Sequence, residues 1–191
     1  MNRLWSSAIV AAALAASTVG MGTVSAQSAA SDLQLFDHRI AAYAELHQRV
    51  SAVFAPWAPT DDVSVLVRRR ADLGSAIRAE RADAKQGEIV DATAAAALRE
   101  IMSDALRGVD VEVLLVDLYE GCETPAGYRP LVNGSYPDWA THHMPIALLM
   151  MLPVLPDGIQ YRLIDHDLLL WDVDADVIID VLPDALPRDG S

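Results

Sequence analysis

The chain is poor in the residues that staple a fold, anchor it in lipid or attract anions. It has one cysteine, Cys122, in 191 residues. A single thiol excludes an intramolecular disulfide, so the fold must rest on its apolar core. The Cys122 thiol itself is read as buried, with intermolecular pairing or metal ligation as its other uses. Positive charge is equally scarce. Lysine and arginine together number 14, with Lys85 the sole lysine, against 27 aspartates and glutamates, for a net charge of −13. Phosphate backbones and anionic headgroups repel such a surface, which argues against nucleic acid and against membrane surfaces. A protein partner with a basic face, or a cationic ligand, suits it better. The single lysine beside abundant arginine and alanine reads as the codon bias of a high-GC bacterium.

Catalytic signatures are missing too. The sequence has no Gly-x-Ser-x-Gly elbow, no phosphate-binding Walker loop and no His-Glu-x-x-His pair. No enzyme activity and no cofactor are expected.

What is present begins at the N-terminus. Arg3 precedes an apolar stretch from Ala8 to Val19, and small residues end at Val24-Ser25-Ala26. That order is the pattern of a secretory leader cleaved after Ala26. Ser17, Thr18 and Gly20 interrupt the run, which falls short of the ~20 apolar residues of a membrane span. The only later apolar run of note, Ile146 to Leu155, is short and contains Pro153. The expected product is a periplasmic or secreted protein of residues 27–191, with no stable span once the leader is removed. Loss of Arg3 makes it one charge more negative.

Helical spacing dominates the first half. Leu33, Phe36, Ile40, Tyr43, Leu46, Val50 and Val53 advance by threes and fours, predicting a helix from a Ser31–Gln34 capping box to about Phe54. Pro56 and Pro59 stop it. Asp61 or Asp62 caps a second helix with Val63, Leu66, Leu73 and Ile77 inward. Asp91 or Thr93 opens a third, with Leu98, Ile101, Ala105 and Leu106 inward, ending at Gly108. Val109 to Leu118 fits a strand by alternation or a short helix capped by Asp110, and its helical neighbours favour the helix.

Residues 121–141 are dense in proline, glycine and aromatics and form a connector. A short helix from Pro145 to Leu152 follows. Ile159–Ile164, Leu168–Trp171 and Val177–Leu182 are rich in branched residues and bounded by turn formers, which predicts a three-stranded meander. The expected class is α+β: N-terminal antiparallel helices over 27–120, the connector, then a short helix and a small C-terminal antiparallel three-stranded sheet over 142–191. The two ends pack as one domain.

The C-terminal piece carries a resemblance. Leu152-Pro153-Val154-Leu155-Pro156-Asp157-Gly158, Tyr161-Arg162-Leu163-Ile164, Asp167-Leu168-Leu169-Leu170 with Asp172, and Val177-Ile178-Ile179-Asp180-Val181-Leu182 resemble the short β module that ends many small exported bacterial proteins of unknown function. It is also similar to the hairpin of periplasmic nickel/cobalt-homeostasis regulator proteins. This chain has His166 where that module usually turns on glycine. The resemblance implies an exported, non-enzymatic protein and transfers no ligand residues.

Candidate chemistry is sparse. Asp172-Val173-Asp174-Ala175-Asp176 opens like a calcium loop, but Val177 replaces the required glycine and Pro183 the bidentate glutamate, so an acidic turn is expected. His142, His143, Met144, Cys122 and His166 are ligand types for soft or borderline metals, without ligand spacing in sequence. They are the candidate set for a periplasmic metal-responsive protein, the alternative to a non-catalytic envelope interaction protein whose helical face or connector aromatics Tyr128, Tyr136 and Trp139 would make the contact. Adjacent histidines on extended chain point apart, so one ion would take one of them. Asp165-His166-Asp167 has residue types for acid–base work, but a turn is expected to leave them in water. His38 and His47 are read as surface or boundary residues, Met150 and Met151 as core filler. Arg68 to Arg70 are read as solvated, paired with Asp62, Asp72 or Glu80.

Overall fold

The computed structural model describes residues 32–54, 60–118, 124–140 and 144–188. The predicted leader, the Ser31 cap, Pro56 and Pro59, and the candidate ligands Cys122, His142 and His143 lie outside the described residues. Within them, five helices precede three strands: α1 (Gln34–Ser51), α2 (Val63–Glu80), α3 (Ala92–Ala105), α4 (Val111–Leu118), α5 (Ile146–Leu149), β1 (Ile159–Ile164), β2 (Asp167–Asp172) and β3 (Val177–Leu182). This is the α+β arrangement expected.

Local chemistry sets most helix ends. Asp62 accepts from the Ser64 backbone N–H at 2.9 Å, and Asp91 from those of Thr93 and Ala94 at 3.1 and 3.0 Å. Each satisfies donors left free at a helix start. Asp110 does the same for Val113 at 3.1 Å, and 111–118 is helical. Leu33, ahead of α1, offers no side-chain cap. Packing holds α1 instead, through the buried Phe36, Ile40 and Tyr43 on one face.

The strands form one antiparallel meander in the order β1-β2-β3. Its two faces have different covers. Tyr161, Leu163, Leu168, Leu170, Val177 and Ile179 pack with Phe36, Ile77, Leu98 and Met102 from the helices. Burial of each such side chain stabilises by about 1.5–3 kcal/mol. On the opposite face Leu169, Trp171, Ile178 and Val181 meet Tyr136 and Ala140, with Tyr128 and Trp139 against them. The connector is thus a third layer over the sheet. Tyr136 lies 4.6 Å from Trp171, ring centre to ring centre.

Arg78 of α2 and its C-cap residue Arg81 pin that layer. Arg78 donates to the Asn133 carbonyl at 2.8 Å and the Asp176 carbonyl at 2.6 Å. Arg81 donates to Asn133 Oδ1 at 3.2 Å and the Ile179 carbonyl at 3.0 Å. Asn133 and Gly134 exchange backbone hydrogen bonds with Ile178 at 2.8 Å each, so they cover part of the outer edge of β3.

Several expectations need correction. Val53, counted on the face of the first helix, lies past its end at Ser51 and is 83% exposed. Val63 is 69% exposed and Leu66 36%, and only Leu73, Gly74 and Ile77 of α2 are buried. The helix meets the sheet late, at Gly74, where a Cβ would clash with the Ala175 carbonyl oxygen. Arg70 pairs not with a helical neighbour but with Asp176, at 3.4 Å. The short helix α5 spans one turn rather than Pro145 to Leu152, so Leu148 and Leu152 reach the core while Met150 and Met151 stay 80% and 55% exposed. His166, placed in water by the sequence reading, is only 2% exposed. Its two-residue turn folds back under the C-terminal segment, whose Ala185 and Leu186 N–H groups bond the His166 carbonyl at 2.8 and 3.1 Å.

Candidate functional site

Two aspartates on the helix-facing side of the sheet are fully buried, and each gathers donors from distant segments. Asp172 ends β2. Its Oδ2 accepts the Tyr43 hydroxyl at 2.7 Å and sits 2.6 Å from His47 Nδ1. Its Oδ1 accepts the Asp174 and Ala175 backbone N–H groups at 3.1 and 3.0 Å. Tyr43 and His47 stand one turn apart on α1, so a single helix face supplies both side-chain donors.

The electrostatics follow from this geometry. Burial would raise the Asp172 carboxyl, but the hydrogen bonds from His47 and Tyr43 outweigh it and hold the group below the usual carboxylate range. The bond to Asp172 pushes the His47 imidazole up despite partial burial. Burial first, and then the Asp172 charge, pushes the Tyr43 phenol up, so it remains a donor at neutral pH.

Asp180 reaches the helical side through a β-bulge. Leu170 pairs with Asp180 but Trp171 with Ile178, leaving Ile179 as the extra residue. Strict alternation from Ile178 would put Asp180 on the connector face; the bulge turns it to the helices. There it accepts N–H bonds from Gly87, Ile89 and Val90 at 2.9, 2.8 and 2.9 Å, and from Val181 at 2.8 Å. Gly87 has φ of +84°, a conformation glycine adopts without strain. The loop between α2 and α3 is thereby moulded around a carboxylate.

Next to these groups lies an open cleft of about 540 Å³, lined by His38, Arg39 and Tyr43 of α1 and by Arg81, Asp83 and Glu88 beyond α2. Its cations are already engaged: Arg39 with Asp91 at 2.9 Å and Arg81 with Glu88 at 3.5 Å. The Arg81 guanidinium also lies 5.2 Å from the Tyr43 ring centre. His47, the half-buried member of the Asp172 cluster, does not line the cleft.

Of the candidate metal ligands, two are described. Met144 is 5% exposed and packs in the helical core. His166 Nε2 lies 3.4 Å from Glu112 of α4 and 3.7 Å from Asp165, while Nδ1 is buried without a hydrogen bond. Among the described residues no three His, Cys, Asp or Glu side chains converge to hold a metal ion. The Asp172–Asp176 turn is an acidic turn with inward uses: Asp176 Oδ1 accepts from the Tyr136 N–H and from Trp171 Nε1, each at 3.1 Å.

The segment around α5 exposes several apolar side chains. Ile146 is 77% exposed, Leu149 41%, Met150 80%, Met151 55% and Val154 94%. Ile146, Leu149 and Met150 share one helix face by their spacing. Among the described residues no helix is long and apolar enough to cross a membrane.

Sequence reasoning missed the buried aspartates. His47 stands four residues after Tyr43 of the inward stripe of α1, a spacing that could have marked a polar contact; nothing local pointed to Asp172 or Asp180. No family model matches the chain, and no curated protein or solved structure does so either.

Proposed function

We propose that this protein works outside the cytoplasm, in the periplasm or secreted, as a non-catalytic protein that binds a partner protein in the cell envelope. One observation carries the reading: the apolar side chains of Ile146, Leu149, Met150, Met151 and Val154 stand in solvent beside a well-filled core. Contiguous exposed apolar side chains of this kind are characteristic of contact surfaces. The polar clusters support it from the other side, since Asp172 and Asp180 spend their oxygens on internal donors. The net charge of −13 favours a partner with a basic rim over nucleic acid or an anionic membrane.

Cell fractionation and native size tests it. The expected product is a chain beginning at Gln27 in the envelope or the medium, eluting above its monomer mass in native extract. Ile146→Glu with Met150→Glu should return it to the monomer mass without changing its fold. A full-length cytosolic chain, or a wild type that elutes as a monomer, would sink the reading.

A further inference from the structure

The chain has six methionines, and Met1 and Met21 fall in the predicted leader. The other four divide sharply by environment. Met102 is 0% exposed and Met144 5%, whereas Met150 is 80% exposed and Met151 55%. The exposed two are adjacent, lie just past the single turn of α5, and contribute much of the solvent-facing apolar surface. Thioether oxidation needs contact between sulfur and a dissolved oxidant, and it turns a flexible apolar side chain into a polar one.

We infer that Met150 and Met151 form an oxidation site at which peroxide-class oxidants convert the exposed apolar segment from greasy to polar, reversibly and without unfolding the protein. The thioether sulfur attacks the distal peroxide oxygen; an S–O bond forms as the O–O bond breaks. Sulfur loses two electrons; with hydrogen peroxide the departing hydroxide takes the proton from the hydroxyl now on sulfur and leaves as water, and with an organic peroxide the alkoxide leaves as the alcohol. A sulfoxide reductase, drawing two electrons from a thiol pair, removes the oxygen as water and restores the thioether. Met102 and Met144 are the internal controls, because the same core that excludes water from them excludes the oxidant. The consequence for partner binding rests on the proposed interaction role; the chemistry at the two sulfurs does not.

The test uses the purified full chain, limiting hydrogen peroxide, peptide mass spectrometry and retention on a phenyl column. Loss of the unoxidised Met150 and Met151 forms should precede any at Met102 or Met144. Retention should fall with that loss, return after methionine sulfoxide reductase and dithiothreitol, and stay constant in Met150→Leu with Met151→Leu. The melting midpoint of the oxidised protein should match that of the untreated protein. Oxidation of Met102 or Met144 at an equal rate would overturn the inference. So would unchanged retention after full oxidation at 150 and 151, or a lowered midpoint. Failure of the interaction role appears elsewhere, as a wild type that is monomeric in native extract while these sulfurs still oxidise first.

Discussion

Tyr43 and His47, one turn apart on α1, converge on the same carboxylate oxygen, Oδ2 of Asp172, at 2.7 and 2.6 Å. Through that oxygen the first helix is tied to the turn between β2 and β3, since Oδ1 of the same group holds the backbone of Asp174 and Ala175. Truncation at this point should be costly, because it strands a buried hydroxyl and buried N–H groups together. Asp172→Ala is expected to lose about 3–5 kcal/mol in urea unfolding. A double-mutant cycle with His47→Ala should return a non-zero coupling energy. Independent, additive losses would show that the two residues do not act together.

The same pair predicts a pH window. His47 is raised in the folded state, so its contribution is complete below the ordinary histidine value and is lost as pH rises through the raised one. Asp172 is lowered, so its contribution is complete above the ordinary aspartate value and is lost as pH falls through the lowered one. The tie is therefore strongest between about pH 4 and 6.5 and weakens on the alkaline side first. Denaturant midpoints across that range, compared with His47→Gln, check this. The wild-type advantage over the variant should shrink as pH rises past neutrality; an advantage that grows reverses the sign and rejects the assignment.

Asp180 should matter through backbone rather than side-chain partners. Asp180→Ala leaves the Gly87, Ile89 and Val90 N–H groups without their acceptor, at about 1–3 kcal/mol per stranded group. Hydrogen exchange should accelerate first at these amides, ahead of those in β1. Uniform acceleration across the domain would mean that the loop is not an individually anchored unit.

Gly74 is predicted to tolerate no side chain. A Cβ there would clash with the Ala175 carbonyl oxygen and crowd Nη1 of Arg78, so Gly74→Ala should cost about 1–3 kcal/mol despite alanine's better helix propensity. Thermal denaturation decides it, with a stabilised Gly74→Ala protein as the outcome that contradicts the packing.

Divalent metals separate the proposed function from its alternative. Binding to the folded state raises the melting midpoint by mass action, by about 2.7 kcal/mol at a hundredfold excess over the dissociation constant. Melts with Ni²⁺, Co²⁺, Cu²⁺ or Zn²⁺ are expected to match those with EDTA. A clear rise with one metal, abolished by His166→Ala, would favour the metal-responsive role.

Much of the architecture was legible in the linear order of residues. The stripe of Phe36, Ile40 and Tyr43, the caps Asp62, Asp91 and Asp110, and the branched runs of the three strands act over a few positions, so spacing alone locates the elements. The strands at Ile159–Ile164 and Val177–Leu182 were read with the bounds they have. What failed was burial at the margins: Val63 and Leu66 were placed inward, His166 outward and Met150 in the core. Each of these depends on where a neighbouring element stops, which the segment itself does not encode.

Alone, the amino-acid order determined the acidic charge, the absence of an intramolecular disulfide, and the succession of helices then strands, because these follow from composition and from contacts within a few residues. The tertiary structure alone decided that the connector roofs the sheet and that a bulge at Ile179 rotates Asp180 toward the helices. It also decided that Asp172 meets a helix 125 and 129 positions away, and that one face of α5 is left uncovered. The physical reason is the same throughout: a buried polar group must find donors wherever the folded chain brings them, and an apolar one is hidden only if something packs against it.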